Sequence, residues 1–161
     1  MSELYFNEST ILLDLEGSTM EDVLHAMALN LEEQGLVKDS FKDAIIAREQ
    51  EYATGLPTIG VSVAIPHTDP EHVNRKTICV AVLKETVDFG VMGDPEDTTP
   101  VKLVFMLAMD QADSQLSSLQ KLMRIFQDEQ TLQFLANEKE KTNILELLAN
   151  KLEFTLEGGV Q

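Results

Sequence analysis

Tryptophan is missing from this 161-residue chain, cysteine occurs once, and 12 Lys and Arg face 28 Asp and Glu. Each scarcity excludes something. A lone cysteine cannot close an internal disulfide. Cys79 sits in the apolar run Ile78-Cys79-Val80-Ala81-Val82-Leu83, the setting of a small buried hydrophobe rather than of a reactive thiolate. The shortage of cations gives a formal charge of −16. That argues against nucleic acid and anionic membrane as partners, since both are gripped through Lys and Arg. It suits a protein partner with a basic patch, and it also serves plain solubility. No apolar run approaches the roughly 20 residues that span a bilayer. Met1 to Glu8 has no basic stretch leading into an apolar one. Neither membrane insertion nor a secretory signal is expected, and the chain reads as cytoplasmic.

What is present favours one folded unit. A length of 161 residues suits a single domain, and 43% hydrophobic residues suffice for a core without disulfides or metals. No repeat, low-complexity tract or Pro/Gly/Ser linker divides residues 1–161.

Ser18-Thr19-Met20-Glu21 matches a capping box, with Ser18 accepting from the Glu21 amide. Met20, Val23, Leu24, Met27 and Leu31 then recur at helical spacing until Gly35 offers a stop. A second helix is predicted behind an Asp39 or Ser40 cap, with Phe41, Ala44, Ile45 and Tyr52 on one face; Thr54-Gly55-Leu56-Pro57 ends it. The middle has a different pattern. Val61 to Ile65, Thr77 to Leu83 and Val101 to Ala108 are short apolar or β-branched runs, the last two reading as strands buried on both faces. Gly90 to Pro100, rich in Gly, Asp, Pro and Thr, reads as a surface loop. Leu116, Leu119, Leu122, Met123 and Phe126 form a helical stripe behind an Asp113-Ser114 cap, and shorter helices are expected over Glu129 to Ala136 and Thr142 to Asn150. Helices before and after a sheet imply a layered α/β domain, its central mixed sheet flanked by helices on both faces.

Of three histidines, His67 has the most constrained setting. It follows Val63-Ala64-Ile65-Pro66, a strand that Pro66 must end or push to an edge. Asp69 can then cap a helical turn with Pro70 at its first position. The end of a strand in an α/β domain is a common place for a site. One imidazole nitrogen held by a backbone carbonyl there would leave the other free as a nucleophile. Arg48 falls on the stripe of Ala44, Ile45 and Tyr52, and a guanidinium on an apolar face needs a partner. A phosphate would serve; so would Glu49, Glu51 or another carboxylate, or a snorkelling stem, and the residues alone favour those plainer readings. His67-Thr68-Asp69-Pro70-Glu71-His72 gathers two histidines and two acids, but the spacing is not that of a helical zinc pair and Pro70 interrupts it, so no metal is expected. His25 belongs to the first amphipathic helix and reads as surface. There is no phosphate-cradling glycine loop, dinucleotide fingerprint or serine elbow.

Arg48-Glu49, then Thr54-Gly55, then Ala64-Ile65-Pro66-His67 resemble the motif region of the fructose/mannitol-type (type-2) IIA proteins of the bacterial sugar phosphotransferase system. The similar layout runs from about Ser18 to Leu152. The resemblance implies that His67 accepts a phosphoryl group from HPr, through Nε2, and passes it to a cysteine of a cognate IIB protein, with no cofactor. Arg48 would neutralise the phosphoryl oxygens, with nearby backbone amides adding donors. Many members carry a second histidine where Asp113-Ser114-Gln115-Leu116 places Gln115. Its amide can donate to a phosphoryl oxygen but cannot become cationic. In this, and in Ala44-Ile45-Ile46-Ala47-Arg48-Glu49, the chain resembles the galactitol-specific branch. A regulatory protein of the same family, switched by phosphorylation of His67, is the alternative.

Overall fold

Alternating large and small apolar residues in the long central strands determine how this chain layers. The computed structural model describes residues 3–58, 60–152 and 155–157. In chain order the elements are β1 (Glu3–Tyr5), β2 (Ile11–Leu15), α1 (Met20–Glu33), α2 (Phe41–Glu51), β3 (Gly55–Leu56), β4 (Ser62–Ala64), β5 (Thr77–Val91), β6 (Asp94–Ala108), α3 (Ala112–Ile125), α4 (Glu129–Asn137), α5 (Lys141–Leu152) and β7 (Thr155–Glu157). The seven strands form one sheet in the order β3-β4-β6-β5-β1-β7, with β2 also paired to β5. β5 and β6 are antiparallel, whereas β4–β6, β1–β5 and β2–β5 are parallel, so the sheet is mixed.

Side chains point alternately to opposite faces of a strand. Ile78, Val80 and Val82 of β5, with Leu103, Phe105 and Leu107 of β6, pack against α3, α4 and α5 through residues such as Leu122, Leu132 and Leu148. Cys79, Ala81 and Leu83, with Val104, Met106 and Ala108, pack against α1 and α2 through Leu24, Met27, Phe41 and Ile45. Helices therefore cover both faces. Cys79 is fully buried in the second core, and burial pushes its thiol up to about 12.

Several expectations shift. Thr19, not Ser18, caps α1, its hydroxyl accepting from the Asp22 amide at 3.1 Å, and Asp22 reaches back to the Ser18 amide at 3.1 Å. The capping bond is the one expected, displaced by one residue, while the return bond from Asp22 goes to the residue before the cap. Gly35 does stop the helix: its φ of 75° lets its N–H bond the Glu32 carbonyl at 2.9 Å while the Leu36 N–H bonds that of Leu31 at 3.0 Å. Gln111, not Asp113 or Ser114, is the first flanking residue of α3. Leu116 is exposed at 59%, so the buried stripe of α3 starts at Ser118 and continues through Leu122 and Ile125. Gly90 to Pro100 is not a loop. β5 and β6 continue through it, Phe89 opposite Thr99 and Gly90 opposite Thr98, around a turn at Gly93 with φ 79°. Cross-strand pairing overrides the turn-rich composition.

Candidate active site

His67 lies three residues beyond the end of β4. The ladder between β4 and β6 persists to this point, the Leu107 N–H donating to the Pro66 carbonyl at 3.0 Å. The site therefore sits beside the C-terminal end of β6, from which the chain runs on into α3 and Gln115. Pro66 contributes no N–H and holds Ile65 extended. The Ile65 carbonyl lies 2.8 Å from His67 Nδ1. A carbonyl only accepts, so Nδ1 carries the proton and the neutral ring keeps its lone pair on Nε2. Burial holds the His67 pKa below the ordinary imidazole value, the Ile65 hydrogen bond works against that, and the Arg48 charge adds to it.

Arg48 occupies the last turn of α2, but not on the face expected. Phe41, Ile45 and Glu49 form the buried stripe, while Tyr52 is 58% exposed and already beyond the helix. Arg48 is half-buried, with its guanidinium 5.0 Å from the Tyr52 ring centroid and 3.9 Å from an Asp69 carboxylate oxygen. Its ion-pair partner is thus the residue two after His67, neither Glu49 nor Glu51. A pair this long and open to water is weak and easily displaced.

Glu49 was missed as part of the site, although its spacing from Phe41 and Ile45 at i+8 and i+4 marks it as inward-facing. It is 3% exposed, and burial raises its carboxyl to about 7 even though Thr54 donates to it from both N–H (2.7 Å) and hydroxyl (2.9 Å). The Thr54 hydroxyl also accepts from the Ile65 N–H at 3.1 Å. Gly55 follows because only a glycine fits: a Cβ there would come 2.4 Å from the Gly90 carbonyl oxygen.

Asp69 flanks the short turn Pro70–His72, with Pro70 at its first position as predicted. His72 faces the start of α2, Nδ1 lying 2.8 Å from the Ser40 hydroxyl. Gln115 lies in the first turns of α3, partly buried, and its Oε1 has no hydrogen-bond partner among the described residues. His25 is exposed on α1.

Residues 4–151 match the family described as "Phosphoenolpyruvate-dependent sugar phosphotransferase system, EIIA 2". The chain belongs to this family. The match reaches back over β1 and β2, which precede Ser18. A fructose-specific EIIA component from Haloferax volcanii is 30% identical over 118 residues, 72% of each protein. A galactitol-specific EIIA component from Escherichia coli is 33% identical over 89 residues, 55% of this chain and 59% of that one. The chain spans only 15% of a longer relative, the Bacillus subtilis transcriptional regulator ManR, at 29% identity over 66% of its own length. The IIA protein in a solved complex of mannitol enzyme IIA with phosphorylated enzyme IIB from Escherichia coli superposes with a TM-score of 0.73, at 25% identity over 90% of this chain and 99% of that one. The reaction of this EIIA family is phosphoryl transfer within the sugar phosphotransferase system. Among the described residues, no helix is long and apolar enough to cross a membrane.

Proposed function

We propose that residues 1–161 act as one cytoplasmic phosphohistidine carrier domain, taking a phosphoryl group from phospho-HPr on His67 and delivering it to the cysteine of a cognate IIB protein. No cofactor is needed. The observation that carries this reading is the 2.8 Å contact of His67 Nδ1 with the Ile65 carbonyl, which leaves Nε2 as the unprotonated nitrogen. In the first step the Nε2 lone pair forms the new N–P bond while the bond from phosphorus to the donor side chain breaks, its electron pair leaving with HPr. In the second, the IIB thiolate forms an S–P bond and the N–P electrons return to Nε2. Both steps spread charge over the phosphoryl oxygens. Arg48 exchanges its loose contact with Asp69 for those oxygens, and the Gln115 amide donates an N–H to them. The glutamine at 115 and the likeness to galactitol EIIA components support a galactitol-like sugar as the final acceptor.

The test is incubation with phosphoenolpyruvate, enzyme I and HPr, followed by intact-mass measurement. One acid-labile phosphoryl group is expected, absent in His67→Gln. Uptake by a folded His67→Gln protein would overturn the assignment. Capture of a kinase or transcription regulator in place of a IIB protein would favour the regulatory alternative.

A further inference from the structure

The β3–β4 ladder pairs Gly55 with Ala64 and Leu56 with Val63, so the next residues in register are Thr54 and Ile65. In an antiparallel ladder, partners of this kind exchange two bonds, each N–H donating to the other's carbonyl. Here the Thr54 N–H departs from that pattern. The Thr54 N–H turns to the Glu49 carboxylate at 2.7 Å, and the Ile65 N–H, facing β3, is taken by the Thr54 hydroxyl at 3.1 Å. The Ile65 carbonyl, which the Thr54 N–H would otherwise occupy, instead accepts from His67 Nδ1 at 2.8 Å.

We propose that Glu49 and Thr54 are positioning residues for His67: by drawing the Thr54 N–H away from the ladder, the Glu49 carboxylate frees the Ile65 carbonyl to fix the imidazole tautomer. Neither residue touches the reacting atoms. Glu49 sits one position after Arg48 on α2, so a single helical turn supplies both the cation near the ring and the carboxylate that sets the ring's hydrogen bond. Thr54 contributes both its backbone and its side chain, and a serine there retains both contacts. Were the Ile65 carbonyl reclaimed by the ladder, Nδ1 would lose its acceptor and the proton would no longer be confined to it. The nitrogen facing a phosphoryl donor would then be protonated in part of the population.

This inference rests on the proposal that His67 carries the phosphoryl group, but its primary readout does not. Long-range nitrogen–proton correlation spectra of histidine-labelled protein at pH about 8 report the tautomer of the neutral ring directly. The wild type and Glu49→Gln, whose amide oxygen still accepts from Thr54, are expected to show only the Nδ1–H form. Glu49→Met, similar in volume but without an acceptor, is expected to show a mixture and to accept phosphoryl groups roughly tenfold or more slowly. Glu49→Leu, also without an acceptor, gives the same comparison should Glu49→Met fail to fold. A pure Nδ1–H form in folded Glu49→Met or Glu49→Leu would overturn the inference. Phosphoryl uptake by His67→Gln would overturn the carrier reading while leaving the tautomer result standing.

Discussion

Gly55 and Gly90 touch backbone to backbone: the space a Cβ on Gly55 would fill is occupied by the Gly90 carbonyl oxygen, 2.4 Å away. The contact joins the strand before the His67 segment to the outer part of the β5–β6 hairpin, and the Gly55 carbonyl accepts from the Met92 N–H at 2.8 Å. Gly55→Ala must push the two backbones apart. A loss of about 1–3 kcal/mol is expected, as for overpacking elsewhere in close-packed interiors. Urea denaturation of the variant and wild type checks this, and equal midpoints would contradict it.

His67 titrates below 6.5 because burial, aided by Arg48, disfavours its charged form. The folded protein then binds fewer protons than the unfolded chain just below that value, so stability falls as pH is lowered from 6.5 through the folded pKa. Phosphoryl acceptance should decline over the same range, since protonation removes the Nε2 lone pair. A proton NMR titration of the His67 ring, run beside the pH–rate profile, gives both. An inflection above 6.5 would contradict the burial argument.

Glu49 has the opposite sign. Its folded carboxyl, raised from 4.5 to about 7, holds a proton that the unfolded chain has released, so stability falls as pH rises across that interval and levels off above it. The difference corresponds to about 3 kcal/mol. Glu49→Gln removes this slope, so the variant should gain on wild type between pH 4.5 and 7. Thermal melts at several pH values measure the gap, and parallel curves would contradict the prediction.

Arg48→Ala should separate function from fold. The 3.9 Å contact with a largely exposed Asp69 contributes well under about 1 kcal/mol. Loss of the cation is expected to slow phosphoryl acceptance by roughly a hundredfold, the scale of removing one preorganised stabilising group. Stopped-flow or quenched-flow transfer from phospho-HPr, paired with a denaturation curve, is the measurement.

Gln115 should separate function from fold as well. Its Oε1 is buried without a hydrogen-bond partner among the described residues, and an unmet acceptor costs about 1–3 kcal/mol. Gln115→Met should therefore hold or raise stability while slowing transfer. A destabilised variant with unchanged transfer would contradict its place in the site.

The long apolar runs of β5 and β6 and the stripe of α1 could be read in the sequence because each repeats one period over many residues. Tyr52 was misread because helical spacing was extended past the helix, whose last residue is Glu51. That error turned the face of α2 toward Arg48 and hid Glu49. The outer halves of β5 and β6 were hidden for another reason: Gly90, Thr98 and Thr99 become strand only through one another. At the site, the His67 motif and Arg48 were legible as residue types. The diversion of the Thr54 N–H was not, since it depends on the register of two strands.

The segment following His67 is laced to the segment preceding α2. Val37 bridges Val73, the Lys38 N–H bonds the His72 carbonyl at 2.9 Å, Lys38 Nζ bonds the Glu71 carbonyl at 2.7 Å, and Asn74 and Arg75 both donate to Leu36. The helix so anchored is the one that carries Arg48. Fluctuations that lift the His67 turn off the sheet must unlace this seam and loosen the start of α2 with it, so amide protection across 36–41 and 72–75 should rise and fall together. The backbones that carry the imidazole and its cation therefore belong to one mechanical part, while the Arg48 guanidinium keeps its own freedom at the open side of the site.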